Sequence, residues 1–160
     1  MIKAVFPGTF DPPTNGHMNI IHRVSRIFDE IDVVIADNDE KKCLFTTSER
    51  FDMLSELCKD ITNVRIHTWT RLVVEFAEEN DAKVIIRGVR ALTDFGYEFE
   101  LAMTNKSLNP NIEIVFMPTD PKYFVLRSSM IKQIARMQGR INKMVPEVVV
   151  QALQRKFPNA

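Results

Sequence analysis

Short apolar, β-rich runs alternate along this chain with longer stretches whose apolar side chains recur every three or four positions. The runs at 2–6, 31–36, 64–69, 83–87 and 112–117 read as strands covered on both faces, because unbroken apolar segments of that length suit a buried parallel sheet. Between the first two, 17–28 places Ile20, Ile21, Val24, Ile27 and Phe28 on one helical face and Arg23 and Arg26 on the other, an amphipathic crossover. Thr46-Thr47-Ser48-Glu49 has the spacing of a capping box and opens a helix through Phe51, Leu54, Leu57 and Cys58. Helices are also predicted over 72–79 and 94–108. Ser128 and Ser129 are placed to cap a fifth, with Met130, Ile131, Ile134 and Met137 on one face and Gly139 as its stop, and a last helix enters at Pro146. Strand followed by helix, repeated five times, predicts a doubly wound α/β domain with a five-stranded parallel sheet and right-handed crossovers, occupying 1–160 as a single unit. In such sheets ligands lie outside the carboxyl ends of the strands.

Composition narrows the classes. A content of 45% apolar and 26% charged residues over 160 positions suits one domain with a continuous core. Cys43 and Cys58 form no CxxC pair, so they are expected as reduced thiols. Lys plus Arg equals Asp plus Glu at 21 each, which gives no reason to expect a nucleic acid partner. The apolar start, Met1 to Phe6, meets Pro7 before it reaches the length of a signal-peptide core or a membrane span, and a cytoplasmic location away from any membrane is expected.

Three loops at strand ends hold the unusual residues. The first, Pro7 to His17, frames Thr9 and Phe10 between Gly8 and Gly16 and puts His17 on the first turn of a helix. It lacks the three close glycines of a dinucleotide fingerprint. It does offer anion chemistry: Gly8 for close backbone approach, Thr9 with a hydroxyl and an amide, and helix amides of positive polarity. A lone histidine at a helix start is ordinarily a capping or solvated side chain, and its place at a strand's carboxyl end is what favours function here. The second loop holds Lys41 and Lys42, a pair that would usually be solvated charge. The third sets Arg87 and Arg90 around Gly88 and Val89; guanidinium forks match phosphate oxygens, with Gly88 expected to let the chain turn beneath them. His17 and His22 are not on one helix face, which argues against zinc.

Thr9 to His17, with Asn15-Gly16-His17 as its NGH form, resembles the T/HxGH signature of the nucleotidyltransferase superfamily, and the stretch from Ile85 to Glu98 resembles the IRGxRxxxDFxYE pattern of phosphopantetheine adenylyltransferases. Phe6 to Phe10, Lys41 to Phe45 and Ser128 to Arg136 are similar to that family in the same order. The resemblance implies a Rossmann-like nucleotidyltransferase fold, a homohexamer, and transfer of AMP from ATP to 4'-phosphopantetheine with Mg²⁺ on the nucleotide. It implies that Thr9, Lys41, Val73 and Arg87 hold phosphopantetheine, and that Thr9, Phe10, His17, Gly88, Val89, Arg90, Glu98 and the segment Tyr123, Phe124, Val125, Leu126, Arg127, Ser128 and Ser129 hold ATP. His17, Lys41, Arg90 and Ser129 are then the candidate catalytic side chains. Arg127 stands where the family usually has a small hydroxyl residue, Tyr123 where it often has Trp, and Arg71 where an acidic or small residue is common. On the loops alone, another small-molecule nucleotidyltransferase and a non-catalytic nucleotide-binding domain remain alternatives.

Overall fold

The computed structural model describes residues 1–37 and 42–158. Five parallel strands, β1 (Lys3–Gly8), β2 (Glu30–Ala36), β3 (Val64–Trp69), β4 (Val84–Val89) and β5 (Glu113–Pro118), lie in the order β3-β2-β1-β4-β5. The chain therefore runs outward from β1 in one direction, returns, and runs outward in the other, which is the predicted doubly wound arrangement, with its switch point between β1 and β4. The helices are α1 (Asn15–Val24), α2 (Thr47–Cys58), α3 (Val73–Glu79), α4 (Leu92–Leu108), α5 (Ser128–Arg136) and α6 (Glu147–Lys156).

One apolar cluster joins Phe6, Ile20, Ile21, Val24, Val33, Ile35, Leu54 and Ile86, and a second joins Val5, Val34, Val74, Phe76 and Ile85. Alternate side chains of the same strands feed the two clusters, as the two-residue period of a strand requires. β1 and β2 share six register pairs, from Lys3↔Glu30 to Gly8↔Ile35. β1 and β4 share only Ala4↔Val84 and Val5↔Ile85. Beyond those pairs the two central strands part, and the gap opens at their carboxyl ends.

Several predicted boundaries move. Strands β1, β4 and β5 run one or two residues further than the apolar runs do, because backbone pairing continues through Pro7-Gly8, Gly88-Val89 and Pro118 where side-chain hydrophobicity has ended. Helix α1 begins at Asn15 and ends at Val24; Ile27, expected on its buried face, is 64% exposed. Edge strands β3 and β5 are only partly covered, so burial on both faces holds for β1 and β2 alone in full. At α5 the N-cap is Arg127, with no side-chain cap, while the Ser128 hydroxyl donates elsewhere. The left-handed residue that ends α5 is Gln138, φ 61°. Gly139 follows it because a Cβ there would stand 2.5 Å from Ile134 Cγ2. The Thr46 capping box forms as predicted, its hydroxyl accepting from the Glu49 amide at 3.2 Å and the Glu49 carboxylate from the Thr46 amide at 2.7 Å. Both cysteines are free thiols, and burial pushes the Cys58 thiol up to about 11, where it is unreactive at neutral pH.

Candidate active site at the sheet switch point

The first loop packs on itself before it meets any ligand. Phe10 adopts φ 51°, a left-handed conformation that is uncommon for an aromatic residue and is held here by its surroundings. Its ring centroid lies 5.7 Å from Phe6 and 5.0 Å from His17, both edge-on. A Cβ on Gly8 would stand 2.9 Å from that ring. Gly8 thus makes room for Phe10, where the sequence suggested room for a ligand. Gly88 is corrected in the same way: it lies inside β4 with no turn, and a Cβ on it would stand 2.7 Å from Ile20 Cδ1. It lets α1 sit close against the sheet.

His17 is the third residue of α1 and completes a capping box. Its amide donates to the Thr14 hydroxyl oxygen at 3.3 Å, and the Thr14 amide donates to its Nδ1 at 3.0 Å. The capping role and the functional placement therefore coexist. Because Nδ1 is an acceptor, the neutral ring carries its hydrogen on Nε2. The side chain is only half-buried by surface area, but the loop around it excludes enough water that burial, aided by the nearby Arg90 charge, holds its pKa at about 4. At neutral pH His17 offers a fixed Nε2–H donor without a charge.

The two arginines at the carboxyl end of β4, Arg87 inside the strand and Arg90 just after it, both have acidic partners. Arg87 Nε donates to Glu98 at 2.6 Å, with both side chains largely covered. Arg90 Nε donates to Asp94 at 3.1 Å, and its Nη1 reaches the Leu126 carbonyl at 2.6 Å. The Arg90–Asp94 pair has the helical spacing of a structural contact, so the arginines are held in place by acids and are not bare cations. Arg90 also ties β4 to the segment before α5. Ser128 closes the same corner by donating to the Pro12 carbonyl at 2.9 Å, and a Cβ on Gly16 would meet Tyr123 Cβ at 3.7 Å. Along this segment Tyr123 ends a 3-10 turn, Phe124 and Val125 are exposed, and Leu126 is buried. Ser129 follows on the first turn of α5. Arg127 is half exposed and stands 3.9 Å from Asp94, the carboxylate that Arg90 already engages. Val73 opens α3 at the end of β3 and packs on the apolar cluster around Phe76. Arg71 is exposed, pairs with Glu79 and lies 4.5 Å over the Trp69 ring. Lys41 lies outside the described residues.

Two charged residues that sequence reasoning passed over hold these loops together. Asp11, 4% exposed, accepts from the Phe45 amide at 2.9 Å, the Leu44 amide at 3.0 Å and the Lys132 ammonium at 2.6 Å. It joins the first loop to the second and to α5. Arg50, 2% exposed, donates to the Thr9 carbonyl at 3.0 Å and to Asp37 at 2.8 Å. A signal existed for Arg50: it shares one helical face with the apolar Met53, Leu54 and Leu57, and a charge on a buried face needs partners.

The loop after β1, the end of β4 and the start of α5 thus meet at one corner, where Arg90 lies near the neutral imidazole donor of His17, reaches the Leu126 carbonyl and is joined by Ser128 on the Pro12 carbonyl. Such an arrangement can receive a polyanion and stabilise charge developing on it. Residues 5–134 match the family model described as Cytidylyltransferase-like. The chain is 50% identical over 157 residues to the phosphopantetheine adenylyltransferase of Dictyoglomus turgidum, covering 98% of each chain. It is 51% identical over 157 residues to that of Dictyoglomus thermophilum, covering 98% of this chain and 96% of the other. With that of Clostridium tetani it shares 46% over 156 residues, covering 98% of each. A solved structure described as a nicotinate-nucleotide adenylyltransferase from Vibrio parahaemolyticus superposes with a TM-score of 0.68 at 18% identity, over 97% of this chain and 93% of that one. At that identity the superposition speaks for the fold, a Rossmann-like nucleotidyltransferase architecture.

Proposed function

The chain belongs to the phosphopantetheine adenylyltransferase family, and from that premise we propose that it transfers the adenylyl group of ATP to 4'-phosphopantetheine, giving dephospho-CoA and pyrophosphate, a step of coenzyme A biosynthesis. The observation that carries the reading is 50% identity over 157 residues, 98% of the chain.

The reaction is an in-line attack by a phosphate oxygen of the acceptor on the α-phosphorus of ATP, with the bond to the bridging oxygen breaking as pyrophosphate leaves. The nucleophile is already an anion, so no side chain has to remove a proton from it. The protein's work is positioning and charge stabilisation. Thr9, Lys41, Val73 and Arg87 hold the acceptor. Thr9, Phe10, His17, Gly88, Val89, Arg90, Glu98 and 123–129 hold ATP, and the His17 Nε2–H meets oxygens that gain charge in the transition state. In the free protein Glu98 already engages Arg87, which keeps that guanidinium ordered until an acceptor phosphate competes for it. Among the described residues no group of three or more His, Cys, Asp and Glu side chains gathers as a metal site. We therefore take Mg²⁺ to travel with the triphosphate and route no step through it.

The decisive experiment is pyrophosphate release from ATP with 4'-phosphopantetheine, pantetheine or nicotinamide mononucleotide as acceptor. Release with the first alone supports the reading, and release with nicotinamide mononucleotide in its place overturns it. Arg127 serves the nucleotide only weakly on this geometry, because it is half exposed and faces an acid. Arg127→Ser is expected to change apparent ATP affinity by less than ~1 kcal/mol at low and high salt alike, as titration calorimetry can read.

We also take the working form to be a cytoplasmic homohexamer with no nucleic acid partner. No helix among the described residues is long and apolar enough to cross a membrane. Leu92, Phe95, Phe99 and Met103 form an exposed apolar stripe along α4, between 39% and 90% accessible, and such a stripe calls for a protein cover. Sedimentation is expected to give six copies, and Phe99→Glu to reduce that number.

A further inference from the structure

Resting on the adenylyl-transfer reading above, we propose that Arg50, to which that reading gives no role, is a positioning residue for it. By holding the carbonyl of Thr9, it turns the amide N–H of Phe10 toward the nucleotide. The peptide between Thr9 and Phe10 is not among the cis bonds of the structure, so its C=O and N–H point in opposite directions. Arg50 Nη1 donates to that carbonyl at 3.0 Å from the side of α2, which sends the N–H the other way. Phe10 is 2% exposed, and its amide has no hydrogen-bond partner among the described residues. In a residue so largely covered, a backbone donor without a protein partner is one that a ligand can take. The left-handed φ of 51° at Phe10 is the conformation that lets its ring pack over Gly8 and beside His17 while the amide keeps this direction.

The guanidinium fork matters because two of its nitrogens do separate tasks. Nη1 takes Thr9, while Nη2 takes Asp37 at 2.8 Å and the Thr47 hydroxyl at 3.1 Å. The second set anchors the fork to the end of β2 and the first turn of α2, and the first set transmits that anchoring to the loop. A lysine keeps the charge for Asp37 but lacks the rigid fork.

Arg50→Lys is the test, compared with Asp37→Asn and the parent protein. Displacing one preorganised donor costs up to about 10²- to 10³-fold in kcat. A partial displacement is expected to lower kcat by at least ~10-fold in Arg50→Lys, with KM for both substrates within ~3-fold of the parent. Asp37→Asn, whose Oδ1 can still accept from Nη2 and which removes only the charge of the anchor, is expected to retain parent turnover. Equal losses in the two variants would assign the effect to the anchoring of α2 and overturn the proposal, as would parent-like kcat in folded Arg50→Lys. If that variant does not fold, the Phe10 amide resonance of the parent protein decides. It is expected to shift downfield on adding α,β-methylene-ATP, and an unmoved resonance overturns the proposal. Absence of pyrophosphate release by the parent protein counts against the adenylyl-transfer reading instead, and the nucleotide-induced resonance change still judges the geometry at Phe10.

Discussion

Replacing His17 by Ala is expected to lower kcat by about 10²- to 10³-fold, the usual loss for one donor aimed at developing oxyanion charge. Binding of both substrates should weaken much less, since the interaction strengthens only as the transition state forms. Stability falls too, because the ring's Nδ1 satisfies the Thr14 amide at the start of α1; loss of half a capping box costs about 1 kcal/mol. His17→Asn separates the two effects, since its side chain can supply an acceptor for the cap and a donor for the substrate but not both at the imidazole's reach. The pH profile offers a second check. With a pKa near 4, the ring is neutral above that value and becomes a cation only as pH falls through it. His17 should therefore impose no inflection on kcat/KM, which reports the free enzyme, between about pH 5 and 8. Near-parent turnover in the alanine variant, or an inflection near 6.5 that vanishes with it, would remove His17 from this role.

The second large effect concerns the acceptor's phosphate. Pantetheine, which lacks it, is expected to give no turnover at all, because the missing group is the nucleophile itself and no side chain substitutes for it. Arg87→Ala should raise KM for phosphopantetheine by about 10- to 100-fold, the scale of a charged hydrogen bond at ~1.5–3 kcal/mol, and should leave ATP binding nearly unchanged in calorimetry. Glu98 complicates the substitution in a useful way. Once Arg87 is gone, its partner at 2.6 Å becomes an uncompensated, largely covered carboxylate beside an incoming anion. The double variant Arg87→Ala/Glu98→Gln is therefore expected to bind the acceptor better than Arg87→Ala alone. Adenylylated pantetheine in the product mixture would contradict the mechanism outright.

The order of elements and the doubly wound sheet were legible because apolar periodicity records which side chains are buried, and here burial follows the strands closely. Element ends were less legible. Pairing through Pro7-Gly8 and through Gly88-Val89 is a backbone property, invisible to a pattern of side chains. The glycines show a second limit: Gly8 was expected to make room for a ligand and Gly88 for a turn, yet each accommodates a side chain of this protein, Phe10 or Ile20. A sequence shows that space is needed without showing what fills it. The arginines at the end of β4 stood out, and Asp94 lies at helical spacing from Arg90, whereas Glu98, 11 positions from Arg87, meets it only in the folded structure. Asp11 was overlooked because a single acid between aromatic and proline residues looks like ordinary turn chemistry; only the tertiary structure shows two amides and an ammonium converging on it.

The parting of β1 and β4 after Val5 and Ile85 bears on how much of the binding free energy a substrate retains. A cleft made by a hinged lid must be closed at each encounter, and ordering that lid subtracts from affinity every time. Here the opening comes from hydrogen bonds that two neighbouring strands never form, and the walls on either side belong to the most deeply packed part of the sheet. The conformational entropy of the cavity's inner end is lost once, during folding, and is not lost again on association. Substrates entering this wedge should therefore bind with little change in backbone order around β1 and β4.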